Sequence, residues 1–132
     1  DTVLEVGTGS GYQTAVLARL VRRVYSVERI EDLVALARHR FRQLKIRNVR
    51  VKHSDGKMGL PEYGPFDAIM VTAAPEGIPR AHVAQLRVGG VMILPIGTSE
   101  EQVLVRVTRT EDHYETEFLE RVSFVPLLGG VL

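Results

Sequence analysis

VLEVGTGSGY, from Val3 to Tyr12, decides how this 132-residue chain folds. Val3, Leu4 and Val6 suit a buried strand. Gly7, Gly9 and Gly11 let the backbone turn sharply and approach a ligand closely, and Tyr12 to Val21 then carries helical spacing. Strand, glycine turn and helix in that order is the way an open α/β sheet offers bare main chain to a nucleotide-like molecule. The same short glycine pattern also serves as a plain strand-to-helix turn, and these ten residues alone leave both readings standing.

Glycine spacing bears on which molecule is held. A dinucleotide fingerprint, G-x-G-x-x-G, starting at Gly7 and Gly9 would put its third glycine at position 12, which is Tyr12, so the pattern is G-x-G-x-G instead. Acids surround the loop: Glu5 precedes it, and Glu28 and Asp55 follow. A pyrophosphate wants helix N-terminal amides with little negative charge nearby. At an effective dielectric near 20, like charges about 4 Å apart repel by roughly 4 kcal/mol. The sulfonium and amino group of S-adenosylmethionine suit such a lining better than NAD. Glu28 closes RRVYSVER (Arg22 to Arg29), 21 residues past Gly7, where an acid accepts hydrogen bonds from a ribose diol. Asp55 closes VRVKHSDG (Val49 to Gly56) and is placed to accept from an adenine amino group. Taken singly, each acid also reads as a loop-facing strand end or a helix cap.

Composition limits the alternatives. With 45% hydrophobic and 25% charged residues the chain is an ordinary globular domain, and disorder is excluded as its main state. A length of 132 residues predicts one domain. No apolar run approaches the roughly 18 residues that cross a bilayer, and no signal peptide precedes Val3, so no membrane and a cytoplasmic setting are expected. Absence of cysteine removes disulfides, thiolate nucleophiles and thiolate metal sites together. His39, His53, His82 and His113 lack the short spacings that put two imidazoles on one metal; they read as surface or locally bonded, and no metal is expected. A net charge of +1 argues against general attraction to nucleic acid. Yet from Arg29 to Lys52 eight cations (Arg29, Arg38, Arg40, Arg42, Lys45, Arg47, Arg50, Lys52) face only Glu31 and Asp32. That run reads either as the solvated face of a helix or as a phosphate-binding patch.

Along the chain, strands alternate with helices across short joints, which predicts an α/β, doubly wound, mostly parallel sheet. A helix from about Glu31 to Leu44 is expected to bury Leu33, Ala37, Phe41 and Leu44. GKMGLPEYGP (Gly56 to Pro65) is a loop before strand four, FDAIMVTAA (Phe66 to Ala74). After the turn PEGIP (Pro75 to Pro79), Arg80 to Leu86 should be a short helix ending near Gly89 and Gly90, and Val91 to Gly97 strand five. Four residues, Thr98 to Glu101, cannot hold a crossover helix, so strand six (Gln102 to Arg109) must return antiparallel beside strand five. A second reversal near Glu111 to His113 leads into strand seven, Tyr114 to about Val125. The predicted order is 3-2-1-4-5-6-7 in seven strands with strand six reversed. Asp1 stands one residue before a central strand, with no methionine and no helix ahead of it, which predicts that a preceding segment belongs to this fold.

From end to end the chain resembles the protein-L-isoaspartate (D-aspartate) O-methyltransferases. The stretches that carry the likeness are VLEVGTGSGYQTAVLA (Val3 to Ala18), VYSVER (Val24 to Arg29), NVRVKHSDG (Asn48 to Gly56), FDAIMVTAAPEGIP (Phe66 to Pro79), LRVGGVMILPIG (Leu86 to Gly97) and VSFVPL (Val122 to Leu127). The resemblance implies a Rossmann-like S-adenosylmethionine-binding methyltransferase domain over residues 1–132, with a family N-terminal region that nothing here matches. It implies that Glu5 with Gly7, Thr8, Gly9, Ser10 and Gly11 holds the methionine end of the cofactor, Glu28 the ribose, and Asp55 with Gly56 the adenine, with Arg29 also among the cofactor-binding residues. Thr72, Ala73 and Ala74 would line the floor, and Phe124, Val125, Pro126 and Leu127 the substrate side. The activity implied is methyl transfer to the carboxylate of L-isoaspartyl and D-aspartyl residues of damaged proteins, opening repair through a succinimide and leaving S-adenosyl-L-homocysteine. The family's serine, in a glutamine-threonine-isoleucine-serine segment, has no counterpart, so no catalytic residue is assigned. Rival expectations are a class I methyltransferase acting on RNA or a small metabolite, and a non-catalytic cofactor-binding fragment.

Overall fold

A computed structural model describes residues 1–75, 77–98, 100–122 and 129–131. Its strands are β1 (Thr2–Val6), β2 (Arg23–Glu28), β3 (Val49–His53), β4 (Phe66–Val71), β5 (Leu86–Gly97), β6 (Gln102–Arg109) and β7 (Tyr114–Val122). Helices are α1 (Tyr12–Leu20), α2 (Glu31–Gln43) and the single turn α3 (Arg80–Val83), with 3-10 turns at Gly56–Met58 and Pro61–Tyr63. The sheet order is β3-β2-β1-β4-β5-β6-β7, parallel from β3 to β5 and antiparallel from β5 to β6 and from β6 to β7. This is the order expected from the four-residue joint after β5.

Alternation along β1 sorts the two faces. Leu4 and Val6 join Val27, Phe66, Ile69, Val71, Leu86, Met92 and Leu94 in the main core, which Val83 of α3 and Leu60 close from above. Each such side chain, fully buried, contributes about 1.5–3 kcal/mol. On the opposite face Val34, Ala37 and Phe41 of α2 pack against Val51 of β3. β1 therefore lies between two packed layers, and its C-terminal end emerges where α1 begins.

Besides strand four, which ends at Val71 rather than Ala74, two expectations change in the structure. The buried stripe of α2 is Val34, Ala37 and Phe41; Leu33 is half-buried and Leu44 is 60% exposed. The cause is the helix end: Lys45 takes a left-handed φ of 58°, its N–H donates to Arg42 O, and Ile46 N–H donates back to Phe41 O at 2.9 Å. That Schellman closure turns Ile46, rather than Leu44, onto the Phe41 cluster. The second change concerns Arg80 to Leu86. The helix stops at Val83, and Leu86 already pairs with Phe66 in β5. Gly89 and Gly90 form a bulge inside that strand, the register slipping between Phe66 and Ala68. A Cβ on Gly90 would lie 2.9 to 3.2 Å from three main-chain carbonyl oxygens. These glycines thus admit close backbone, which a sequence pattern does not distinguish from a helix stop.

β3 is an outer strand, and its outward carbonyl at Val51 accepts from Arg38 Nη2 of α2 at 2.6 Å. Arg38, Arg42, Arg50 and Lys52 surround a hollow of about 380 Å³ over Phe41, Ile46, Val49 and Val51. Among the described residues no helix is long and apolar enough to cross a membrane.

Candidate functional site

The loop Gly7 to Gly11 leaves the end of β1 and is pinned to β2 by Gly7 N–H and Thr8 N–H, both donating to Val27 O. Its glycines have different neighbours. A Cβ on Gly7, whose φ is +102°, would lie 2.3 Å from Thr72 Oγ1. One on Gly11 would press on the Phe41 ring at 3.1 Å. One on Gly9, with φ +55°, would meet nothing within 4 Å. Gly7 and Gly11 therefore serve packing, while Gly9 faces open space above the sheet, a place where a ligand can lie on the main chain.

Glu28 ends β2 beside it. Its Oε1 accepts from Gly9 N–H at 2.9 Å and its Oε2 from Ile30 N–H at 3.0 Å, and the residue is 7% exposed. The acid thus sets the loop tip through two charge-assisted bonds, and each oxygen keeps a further lone pair. Arg29 follows, its carbonyl oxygen 3.0 Å from His53 Nε2 and its Nε buried with no hydrogen-bond partner. Ser10 is exposed, and its carbonyl accepts from Arg40 Nη1 at 2.8 Å, so a cation also reaches this loop.

Beneath the loop runs a polar chain that pattern reading does not show. Glu5, the last residue but one of β1 and 0% exposed, accepts through Oε1 from Ser26 Oγ at 2.6 Å and from Thr14 Oγ1. With the Ser26 hydroxyl committed to Glu5, Thr8 Oγ1 donates to Ser26 Oγ at 2.5 Å. Thr8 is thereby tied from the cofactor-type loop to the centre of the sheet. Burial pushes the Glu5 carboxyl above its ordinary range, against the hydroxyls of Ser26 and Thr14, which pull it down, and with a smaller upward push from Glu28. Its Oε2 is buried without a partner. Glu5 is placed under the loop rather than along its open side.

Asp55 caps the first 3-10 turn: Oδ1 accepts from Lys57 N–H at 2.9 Å, and Oδ2 from Gly130 N–H at 3.1 Å. These two amides, Gly130 first, hold its carboxyl below the usual value. Thr72, just past β4, donates its hydroxyl to Val6 O and Gly7 O at 2.9 and 3.0 Å, fastening the loop from the other side. Ala74 is buried, Ala73 half-buried, and Gly56 buried. Phe124, Val125, Pro126 and Leu127 lie outside the described residues.

Gly9, Glu28, Asp55 and Thr72 therefore gather at the C-terminal ends of four neighbouring parallel strands, the place where open α/β sheets take ligands. The family model for protein-L-isoaspartate(D-aspartate) O-methyltransferase (PCMT) matches residues 1–132. This chain belongs to that family. It is 60% identical over 130 residues, 98% of its length, to protein-L-isoaspartate O-methyltransferase 1 of Marinobacter nauticus, of which it covers 59%. It is 56% identical over 130 residues to the Hahella chejuensis protein-L-isoaspartate O-methyltransferase, covering 98% of this chain and 62% of that one. The chain thus spans about three-fifths of the curated relatives it matches. A solved protein-L-isoaspartate O-methyltransferase superposes with a TM-score of 0.91 at 31% identity, over 98% of this chain and 43% of that one. A Plasmodium falciparum beta-aspartate methyltransferase (PCMT), solved in complex with S-adenosyl-L-homocysteine, superposes at 0.81 with 30% identity, over 96% and 65%. The mostly parallel Rossmann-like methyltransferase fold expected from the strand order is thereby shown.

Two contributors, Ser26 and Thr14, escaped the sequence reading, and a third, Arg40, was placed there only within the run of cations. Ser26 carried the only usable signal, a small hydroxyl between Tyr25 and Val27 in an otherwise apolar strand. Its partners stand 18 and 21 residues away.

Proposed function

We propose that this chain is the S-adenosylmethionine-binding domain of an enzyme that methylates the carboxylate of L-isoaspartyl and D-aspartyl residues in damaged proteins. The observation that carries the reading is the open space over Gly9, whose amide is set by Glu28 and where an added Cβ would meet no protein atom within 4 Å. The residues fit the cofactor: a small bare loop for the methionine end, Glu28 with Arg29 for a ribose diol, and Asp55 with Gly56 for a purine amino group. Glu5 acts on Thr8 from below, with Ser10, Gly7 and Gly11 shaping the loop, and Thr72, Ala73 and Ala74 forming the floor. Family membership and the homocysteine compound held by the Plasmodium relative support the same assignment.

When bound, S-adenosylmethionine supplies a methyl group on a positively charged sulfur. The acceptor needs no general base. A main-chain-type carboxyl has a pKa of about 3.5, so at pH 7 roughly three thousand molecules are ionised for each that is not. The carboxylate oxygen forms a bond to the methyl carbon as the carbon–sulfur bond breaks, giving a methyl ester and S-adenosyl-L-homocysteine. The task of this domain is then alignment and exclusion of water. The following main-chain nitrogen attacks the ester carbonyl and expels methanol, closing a succinimide whose hydrolysis returns part of the residue to normal aspartate. Isoaspartyl proteins are the proposed partners, with a cytoplasmic setting and no nucleic acid or membrane.

The test is transfer of labelled methyl from S-adenosylmethionine to an isoaspartyl peptide by the protein that contains this domain, with the aspartyl twin as control. Label in the isoaspartyl peptide alone is expected; label in the twin alone, or in neither, overturns the reading. A second reading, a methyltransferase docking on an anionic polymer such as RNA, rests on the hollow at Arg38, Arg42, Arg50 and Lys52, none of which is paired with a carboxylate among the described residues. It requires affinity for that polymer that falls steeply with salt.

A further inference from the structure

Residues Gly56 to Leu60 join two 3-10 turns, too short to satisfy their own main-chain groups, and side chains from elsewhere supply the partners. His82 of α3, 0% exposed, places Nε2 2.7 Å from Gly56 O; since a carbonyl only accepts, the proton sits on Nε2. Three residues on, Gln85, 8% exposed, accepts from Leu60 N–H through Oε1 at 2.9 Å and donates from Nε2 to Met58 O at 2.9 Å. Gly59, at φ +63°, lies against the Gln85 amide so closely that a Cβ would stand 2.3 Å from Oε1. The bracket is itself anchored, because Gln85 O accepts from Phe66 N–H at 2.7 Å at the head of β4. Both side chains grip the segment that begins at Asp55 and Gly56.

We propose that His82 and Gln85 are positioning residues that hold Asp55 and Gly56 in register for a 6-aminopurine, so that this buried bracket sets the base selectivity of the cofactor site. The inference rests on the functional reading above, which makes Asp55 the acceptor for the purine amino group. Asp55 is kept ionised by its two backbone donors, so it accepts from a 6-amino group and repels a 6-oxo group. Its aim depends on the turn that it caps, and that turn is fastened by His82 at its first carbonyl.

The measurement is calorimetric binding of S-adenosylhomocysteine and S-inosylhomocysteine, which differ in the amino or oxo group at purine position 6 and in the N1 proton that accompanies the oxo group, to the protein and to His82→Phe, His82→Gln and Gln85→Glu. The unsubstituted protein is expected to prefer the adenosyl compound by at least about tenfold, the worth of one charge-assisted hydrogen bond. His82→Phe, which keeps a ring but loses the donor, should collapse most of that preference, and His82→Gln, whose amide can reach Gly56 O, should restore it. Gln85→Glu keeps the acceptor for Leu60 N–H, replaces the donor to Met58 O with a buried carboxylate oxygen, and carries the test if His82→Phe does not fold. A purely structural role would weaken both compounds alike. Folded variants that keep the full preference overturn the inference alone. A protein that binds neither compound overturns the functional reading and the inference with it.

Discussion

Gly9→Ala and Gly7→Ala, two residues apart in one loop, should have opposite consequences. At Gly9 the new methyl meets no protein atom within 4 Å, so the fold bears only the left-handed φ of +55°. That costs about 1–2 kcal/mol, partly offset by the reduced freedom of the unfolded chain. For a chain of this size a net loss of about 1 kcal/mol lowers the melting temperature by roughly 3–5 °C. The methyl projects where the ligand is proposed to lie, and displacing even one hydrogen bond there weakens S-adenosylhomocysteine binding about tenfold or more. At Gly7 the methyl would stand 2.3 Å from Thr72 Oγ1, the atom that holds Val6 O and Gly7 O. Overpacking, a φ of +102° and a broken hydrogen bond together cost roughly 3–5 kcal/mol, a melting loss of about 10 °C or more. Melting by circular dichroism and titration calorimetry on both variants read the two effects separately. Gly9→Ala binding within twofold of the unsubstituted protein, or melting as poorly as Gly7→Ala, would refute the assignment of Gly9 to the ligand.

Glu28→Ala removes the acceptor of two main-chain N–H groups and should cost about 2–4 kcal/mol in denaturant unfolding, along with most of the cofactor affinity. Burial holds the folded Glu5 carboxyl above its unfolded value of about 4.3, so the folded state binds more protons; its contribution is full below that pH and is lost as pH rises through the raised value. Unfolding curves from pH 4 to 8 should accordingly show a decline that Glu5→Gln flattens; parallel curves for the two proteins would exclude it. Lys45→Gly relieves a left-handed residue with no other role in the Schellman turn and should raise stability by about 0.5–1 kcal/mol, visible as a shift of the urea midpoint at constant slope.

What was legible in the chain was what depends on local pattern or on chain length. Three glycines between an apolar run and a helical one located the loop, and four residues between Gly97 and Gln102 were too few for anything but an antiparallel return, which set the far half of the sheet. The buried face of α2 was misplaced because a helical stripe can be drawn through Leu33 or through Val34, and only the reversal at Lys45 decides between them. Gly89 and Gly90 looked like a stop and were a bulge, a distinction set by the neighbouring β4. The hydroxyl chain through Ser26 and the bracket at His82 join residues 18 to 26 positions apart, and nothing in a period of two or 3.6 announces such pairs.

The guanidinium of Arg38 on the Val51 carbonyl has a consequence for life in a crowded solution. An outer strand with free amide groups is a template on which a second molecule can stack, and stacks of that kind grow into aggregates. Here one rung of the template is already filled, and the positive charges of Arg50 and Lys52 on the same strand repel a like neighbour. Arg38→Ala should therefore leave the binding loop intact while shortening the time the protein stays dispersed.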